Sequence, residues 1–200
     1  MGIIVAIGHT SMSSGDLKAA VSAGATLSTH LGNGAHKLLP RHPNYIWDQL
    51  AEDGLYASMI ADSFHLPESV LKVFMQTKKT KAILISDGMP YTGLEPGLYD
   101  SPAAGRIRLT GDGKLHREGD PGLLAGSAST LFQGVQNMSR LEGLAFAWDM
   151  GSLHPTRLLN HTSILGLQVG APADLVLLDP DLDNLKILKV FKGGVQWPLQ

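Results

Sequence analysis

The chain contains no cysteine, which excludes both a disulfide framework and thiolate metal ligands. Any metal must therefore be held by His, Asp, Glu or water, and the absence of disulfides is compatible with a reducing, cytoplasmic setting. The chain also lacks any long basic run. Its formal charge of -2 leaves no electrostatic footprint for nucleic acid or an anionic membrane surface, so small molecules are the expected partners. No apolar stretch approaches the ~18 residues of a membrane span. The N-terminus shows neither a basic n-region nor a long apolar h-region. There is no internal repeat beyond the alternation described below, and no low-complexity segment. What is present is 200 residues at 44% hydrophobic, enough for a sizeable core in one domain or one domain with an appendage, and a soluble protein is expected.

Apolar runs and helical patterns alternate through the first part of the chain. "GIIVAIGHT" reads as a strand ended by Gly8, and "SSGDLKAAVSAG" as a helix with Ser13 or Ser14 near its cap and Gly24 closing it. "ATLSTHLGNG" repeats the strand-then-glycine pattern. A Pro-punctuated loop and a short helix around "YIWDQLAEDG" follow. "LYASMIADSFH" is a third strand, Pro67 opens a helix through "ESVLKVFMQTKK", and "KAILISDGMP" is a fourth strand. Near-continuous apolar strands alternating with helices predict parallel β/α units with right-handed crossovers. From about residue 88 the pattern changes. "GRIRLTGDGKLHREG" predicts a hairpin turning at Gly111 to Gly113, then a helical stretch runs over "GSASTLFQGVQNMSRLEG" and "GLAFAWDMGSLHPTRLLN". "GAPADLVLLDPDLDNLKILKVFKGGVQW" closes the chain with two strands.

Functional groups of a parallel β/α array gather at the carboxyl ends of its strands. His9, His30, Asp62 with His65, and Asp87 all fall there, one cluster per strand. A strand-end His taken alone is more often a hydrogen-bonded structural residue than a ligand. Two His and an Asp from successive strand ends together suit Zn2+ or a similar divalent ion, with imidazoles as ligands and a carboxylate beside an open position for water. His9, His30 and Asp87 are accordingly expected to converge on one point. Arg41 reads equally as a solvated arginine and Asp62 as a cap for the following helix. Gly126 and Ser127 read as a helix start, with or without an anion at its N-terminus. His36, His42, His116, His154 and His161 have no strand-end position and read as surface or structural residues, His154 ordering a helix start.

"GHTS", "THLGNGAHKLLPRHP", "ADSFH", "ISDGMP", "LLAGSAST", "SLHPTRLL" and "GAPADLVLLD" occur in this order along nearly the whole chain. The ordered set resembles the carboxy-terminal part of the N-acetylglucosamine-6-phosphate deacetylase family of the amidohydrolase superfamily. The resemblance implies that His9 and His30 ligate a divalent metal, Zn2+ first, with Fe2+ or another divalent ion as alternatives, and that Asp87 is the catalytic acid/base. It places Asn33 and Gly34 along the substrate and Arg41 on its phosphate. Asp62, Ser63, Phe64 and His65 become the sugar-side wall, with His65 on the acetyl or sugar oxygens, and Leu124, Ala125 and Gly126 close the pocket. The implied reaction is amide hydrolysis of N-acetylglucosamine 6-phosphate to glucosamine 6-phosphate and acetate. The chain departs from the family's usual pattern at Gly32 to Ala35 and at Ser63, where the family usually has glycine.

A full (β/α)8 barrel takes ~250 residues. The resemblance makes this chain α/β, the second half of a TIM-type barrel (strands five to eight, residues 1–165) plus C-terminal strands of a small β domain (residues 166–200), the two tail strands pairing with each other or with another chain. The family's His-x-His segment and metal-ligating glutamate have no counterpart in it, which predicts lowered metal affinity and very low deacetylase activity for the chain by itself. Such a half-barrel leaves unpaired edges at "IIVAI" and "KAILI" and an apolar interior face, which predicts a homodimer rather than a stable monomer. Two other readings stand beside the deacetylase: a non-catalytic half-barrel module, and an amidohydrolase acting on another N-acetyl sugar or a cyclic amide.

Overall fold

The computed structural model describes residues 2–159, 166–179, 181 and 184–199. Strands β1 (Val5–Ile7), β2 (Ala25–Ser28), β3 (Tyr56–Ile60) and β4 (Ala82–Ile85) form one parallel sheet in the order β1-β2-β3-β4. Helices α1 (Ser14–Ser22), α2 (Tyr45–Ala51) and α3 (Glu68–Lys78) fill the crossovers. Their starts are fixed locally. Ser13 and Asp16 form a reciprocal capping box on α1, the Asn44 side chain accepts from the N–H groups of Ile46 and Trp47 on α2, and α3 begins behind Pro67. All four strands therefore present their carboxyl ends along one edge.

Packing follows strand alternation. Ala57, Met59, Ala82 and Leu84 meet Leu71, Phe74 and Met75 of α3 in the main core. Helices α4 (Leu131–Glu142), α5 (Leu144–Gly151) and α6 (Leu153–Leu158) complete it, with Val135, Met138, Ala147 and Met150 in the same cluster. Deleting a side chain such as Met138 or Met150, both fully buried, would cost about 2–5 kcal/mol. His154 is buried in the first turn of α6, where its Nδ1 bonds the Ala82 carbonyl at 2.6 Å and docks that helix onto the start of β4.

Between β4 and α4 the chain makes more structure than one hairpin. Strands β5 (Gly97–Ser101), β6 (Gly105–Leu109), β7 (Leu115–Arg117) and β8 (Asp120–Leu124) form an antiparallel meander, and the expected turn at Gly111–Gly113 is its central one. Gly126 and Ser127 do not begin a helix; α4 starts at Leu131 with Thr130 as its cap. The tail has three strands rather than two: β9 (Leu175–Asp179), β10 (Lys186–Lys192) and β11 (Val195–Trp197) pair in the order β11-β10-β9. Gly193 and Gly194, at φ 57 and 80, form the two-residue turn into β11, a conformation that strongly favours glycine. Gln136 of α4 reaches the Leu185 carbonyl at 2.8 Å and ties this sheet to the helices.

The expectation of a fully open inner face needs correction. Ile60 and Ile83 alternate to the side of the sheet away from Met59 and Leu84, yet they are only 1% and 4% exposed. Apolar side chains stand open at the first edge, where Ile3 is 92% and Val5 50% exposed, and also in the loop at Leu38 and in the tail at Leu167 and Val169. His161 lies outside the described residues.

Candidate functional site

His9 follows β1 and His30 follows β2, and because these strands are neighbours the two rings meet with centroids 4.6 Å apart at an interplanar angle of 59°. Ligand nitrogens 2.0–2.1 Å from a tetrahedral zinc put two imidazole centroids about 5 Å apart, so the pair has the separation of two ligands of one ion. The Nδ1 of His30 is buried without a hydrogen-bond partner, which is rare for a buried polar atom and fits a nitrogen reserved for a cation. The His30 backbone is held by Ser58: its N–H donates to Ser58 Oγ at 2.8 Å, and the next N–H, of Leu31, donates to the Ser58 carbonyl at 2.8 Å.

The rings border a recess of about 20 Å³, lined also by Asn33, Gly34, Tyr45 and Gln49, with room for about one water-sized occupant. Gly34 is required there. At φ +66, a Cβ built on it would stand 2.6–2.9 Å from three atoms of the His9 ring. Asn33 and Gly34 are thus brought to the histidine pair as expected, whereas Arg41 lies exposed on the loop beyond it. His36 in that loop bonds the Tyr45 hydroxyl through its Nδ1 at 2.9 Å.

After β3, Asp62 and His65 form a closed pair. His65 Nδ1 lies 2.7 Å from Asp62 Oδ2, and both side chains are 3% exposed. The other carboxylate oxygen accepts the N–H groups of Phe64 and His65 at 2.9 Å each. Asp62 therefore caps this turn and not α3, a correction to the helix-cap reading. Burial pushes the Asp62 carboxyl up, but the bond from the His65 ring, the two N–H donors and the charge of His65 outweigh it and hold the carboxyl below its usual value. The same bond fixes the ring with its proton on Nδ1 and leaves Nε2 for a ligand.

Asp87 follows β4 and is exposed. The chain beyond it is stitched to the return from the meander: Gly88 forms a parallel bridge with Ser127, Met89 N–H donates to the Ser127 carbonyl at 2.8 Å, and Gly126, at φ 105, lies where a Cβ would strike Met89 Cγ. Leu124, Ala125 and Gly126 thus arrive beside the Asp87 loop. Among the described residues, three of the four non-glycine residues with positive φ, namely His30, Ser63 and Asp87, sit at these strand ends; such conformations cost energy and gather at functional sites. Of His9, His30 and Asp87, the two histidines meet, and among the described residues no cluster of three His, Asp or Glu side chains is placed to hold a metal. The residues present fit two ligands of an ion, not a complete shell.

Sequence reading missed Ser58, Tyr45 and Gln49 around the histidines and Asn137 near Asp62. Of these only Ser58, a polar residue within the apolar run of β3, carries any signal.

No family model matches the chain. Among curated proteins it is 31% identical to N-acetylglucosamine-6-phosphate deacetylase of Bacillus subtilis, over 96% of this chain and 48% of that protein. It is also 31% identical to a putative N-acetylgalactosamine-6-phosphate deacetylase of Escherichia coli K12, over 76% of this chain and 91% of that protein. The chain belongs to the N-acetylglucosamine-6-phosphate deacetylase family. Among solved structures it matches the Mycobacterium smegmatis N-acetyl-D-glucosamine-6-phosphate deacetylase D267A mutant, crystallised with N-acetyl-D-glucosamine-6-phosphate. The TM-score is 0.84 at 29% identity, over 98% of this chain and 51% of that one. The parallel sheet is therefore part of a TIM-type barrel fold, and the chain spans about half the length of the N-acetylglucosamine-6-phosphate deacetylases it matches. No helix among the described residues is long and apolar enough to cross a membrane.

Proposed function

We propose that this chain carries the catalytic face of a metal-dependent deacetylase that hydrolyses N-acetylglucosamine 6-phosphate to glucosamine 6-phosphate and acetate. The observation that carries the reading is the His9–His30 pair, 4.6 Å apart, with a buried nitrogen left unpaired. His9 and His30 would hold a divalent ion, zinc first and iron(II) or another divalent ion as the alternative, which would supply an activated water and polarise the acetyl carbonyl. Asp87 takes a proton from the attacking water and returns it to the amine nitrogen as the carbon–nitrogen bond breaks, so that hydroxide ends on the acyl carbon. His65, oriented by Asp62, presents Nε2 to the substrate, accepting from a sugar hydroxyl, or donating to the acetyl or a sugar oxygen once the ring carries a second proton there. Arg41 contacts the phosphate, Asn33 and Gly34 flank the sugar, Ser63 and Phe64 wall it, and Leu124, Ala125 and Gly126 close the pocket. In this reading residues 1–165 are barrel and 166–200 belong to the small β domain. A phosphorylated amino sugar supports a cytoplasmic site of action, and the exposed edge at Ile3 and Val5 supports self-association as a dimer.

The lack of a third ligand among the described residues favours a second reading, a half-barrel that binds metal or sugar phosphate without turnover. Acetate release from N-acetylglucosamine 6-phosphate, N-acetylgalactosamine 6-phosphate and a cyclic amide, with and without Zn2+, separates the two. The deacetylase reading expects metal-dependent release that Asp87→Asn lowers by about 10²-fold or more. Metal binding with no release from any substrate establishes the second reading.

A further inference from the structure

Asn137 projects from α4, 74 to 76 positions beyond the residues it touches, and its Nδ2 donates to the Ala61 carbonyl at 2.7 Å and to Ser63 Oγ at 3.2 Å. These two residues flank Asp62. Ser63 is held at φ 70, where a side chain is disfavoured. From this one turn Asp62 sends one oxygen to the Phe64 and His65 N–H groups and the other to His65 Nδ1. If the turn relaxed toward negative φ, the Asp62 carboxylate would rotate with it and His65 would lose the partner that fixes its proton.

We infer that Asn137 is a positioning residue for His65, acting through the Ala61–Ser63 turn. The Asn137 side chain bonds neither the His65 ring nor the Asp62 carboxylate. It closes the turn from the far side by satisfying the last strand carbonyl and the side chain of the residue in the unfavourable conformation. This deepens the deacetylase reading, on which the meaning of His65 as a substrate contact rests, but the arrangement itself is a property of the ligand-free chain. Ser63 links to the same logic. A glycine there would adopt the left-handed conformation without a side-chain bond, so Ser63→Gly makes the turn less dependent on Asn137.

The test is nitrogen-15 NMR of the His65 ring in the intact 200-residue chain without metal or substrate, reading the tautomer and the exchange rate of the Nδ1 proton. In the parent the Nδ1–H tautomer dominates and its proton is protected. In Asn137→Ala and Asn137→Asp, which remove the donor with and without a change of shape, we expect the proton to exchange at least tenfold faster and the Nε2–H tautomer to appear. Adding Ser63→Gly to Asn137→Ala should recover at least half of the lost protection. A purely structural role would lower thermal stability and leave the tautomer as in the parent. That result, an absence of rescue, or loss of cooperative folding in both Asn137 variants would overturn the inference. Because no turnover is measured, failure of the deacetylase reading leaves this test intact.

Discussion

Gly34 and His9 are mutually exclusive in size: the glycine sits against the imidazole so closely that a single added methyl would lie 2.6 Å from its Cε1. Gly34→Ala should therefore displace the His9 ring while the fold persists. We expect divalent-metal affinity, followed by competition with a zinc indicator, to fall by about tenfold or more, the range seen when the support of a ligand is disturbed. His9→Ala and His30→Ala should fall at least as far. An unchanged affinity in Gly34→Ala would remove His9 from the ligand set.

The Asp62–His65 pair sets a pH signature. Asp62 has a folded pKa below its unfolded value, near 3.9, so its contribution is fully present above that value and is lost as pH falls through the folded one. Asp62→Asn should lower unfolding free energy at pH 7 by about 1–3 kcal/mol, the scale of hydrogen bonds to a charged group. The difference from the parent should shrink below pH 4. Urea titrations between pH 3 and 7 measure this, and a gap constant across that range would contradict an ionised Asp62.

Lys78 adds a second pH signature at the alkaline end. Its ammonium is buried against the Glu52 and Leu55 carbonyls at 2.8 and 3.2 Å, and burial brings its pKa down to about 8, against the opposing pull of Asp53 and Glu52 and with a further push from Lys81. The unfolded chain keeps the proton to about 10.4, so between pH 8 and 10 the unfolded state binds more protons and stability rises with pH. We expect the parent to gain about 1–3 kcal/mol over this interval relative to Lys78→Met. Parallel stability curves for the two proteins would refute it.

Association is checked by light scattering across a concentration series. The exposed Ile3 and Val5 edge should yield dimers, and Val5→Lys should shift them to monomer by placing a charge on the strand edge. A monodisperse parent monomer would exclude the dimer.

The parallel sheet was legible because β1 to β4 are short apolar runs, each followed within a few residues by a His or Asp. Adjacency of the first two strands is what makes His9 and His30 meet. The meander was half legible: β6 and β7 alternate clearly around a glycine turn. Gly97 and Asp100 in β5 and Asp120, Pro121 and Gly122 in β8 instead read as loop, and such residues are tolerated there because both are edge strands. Three-residue β11 is too short for any period. Asn137 was illegible for a different reason. Its partners lie 74 and 76 positions away, one of them a backbone carbonyl, and a helical polar residue announces neither. The cover over Ile60 and Ile83 is likewise a tertiary fact that no strand pattern encodes.

The bridge from Gly88 to Ser127, with Met89 lodged on Gly126, brings the outgoing and returning arms of the meander side by side next to Asp87. Mechanically the meander is a spliced-in excursion whose ends are joined at its root, so its tip at Gly111–Gly113 is insulated from the carboxylate. New residues inserted at that tip, or a reporter domain grafted there, add length beyond the clasp and leave the Asp87 end of β4 where it stands.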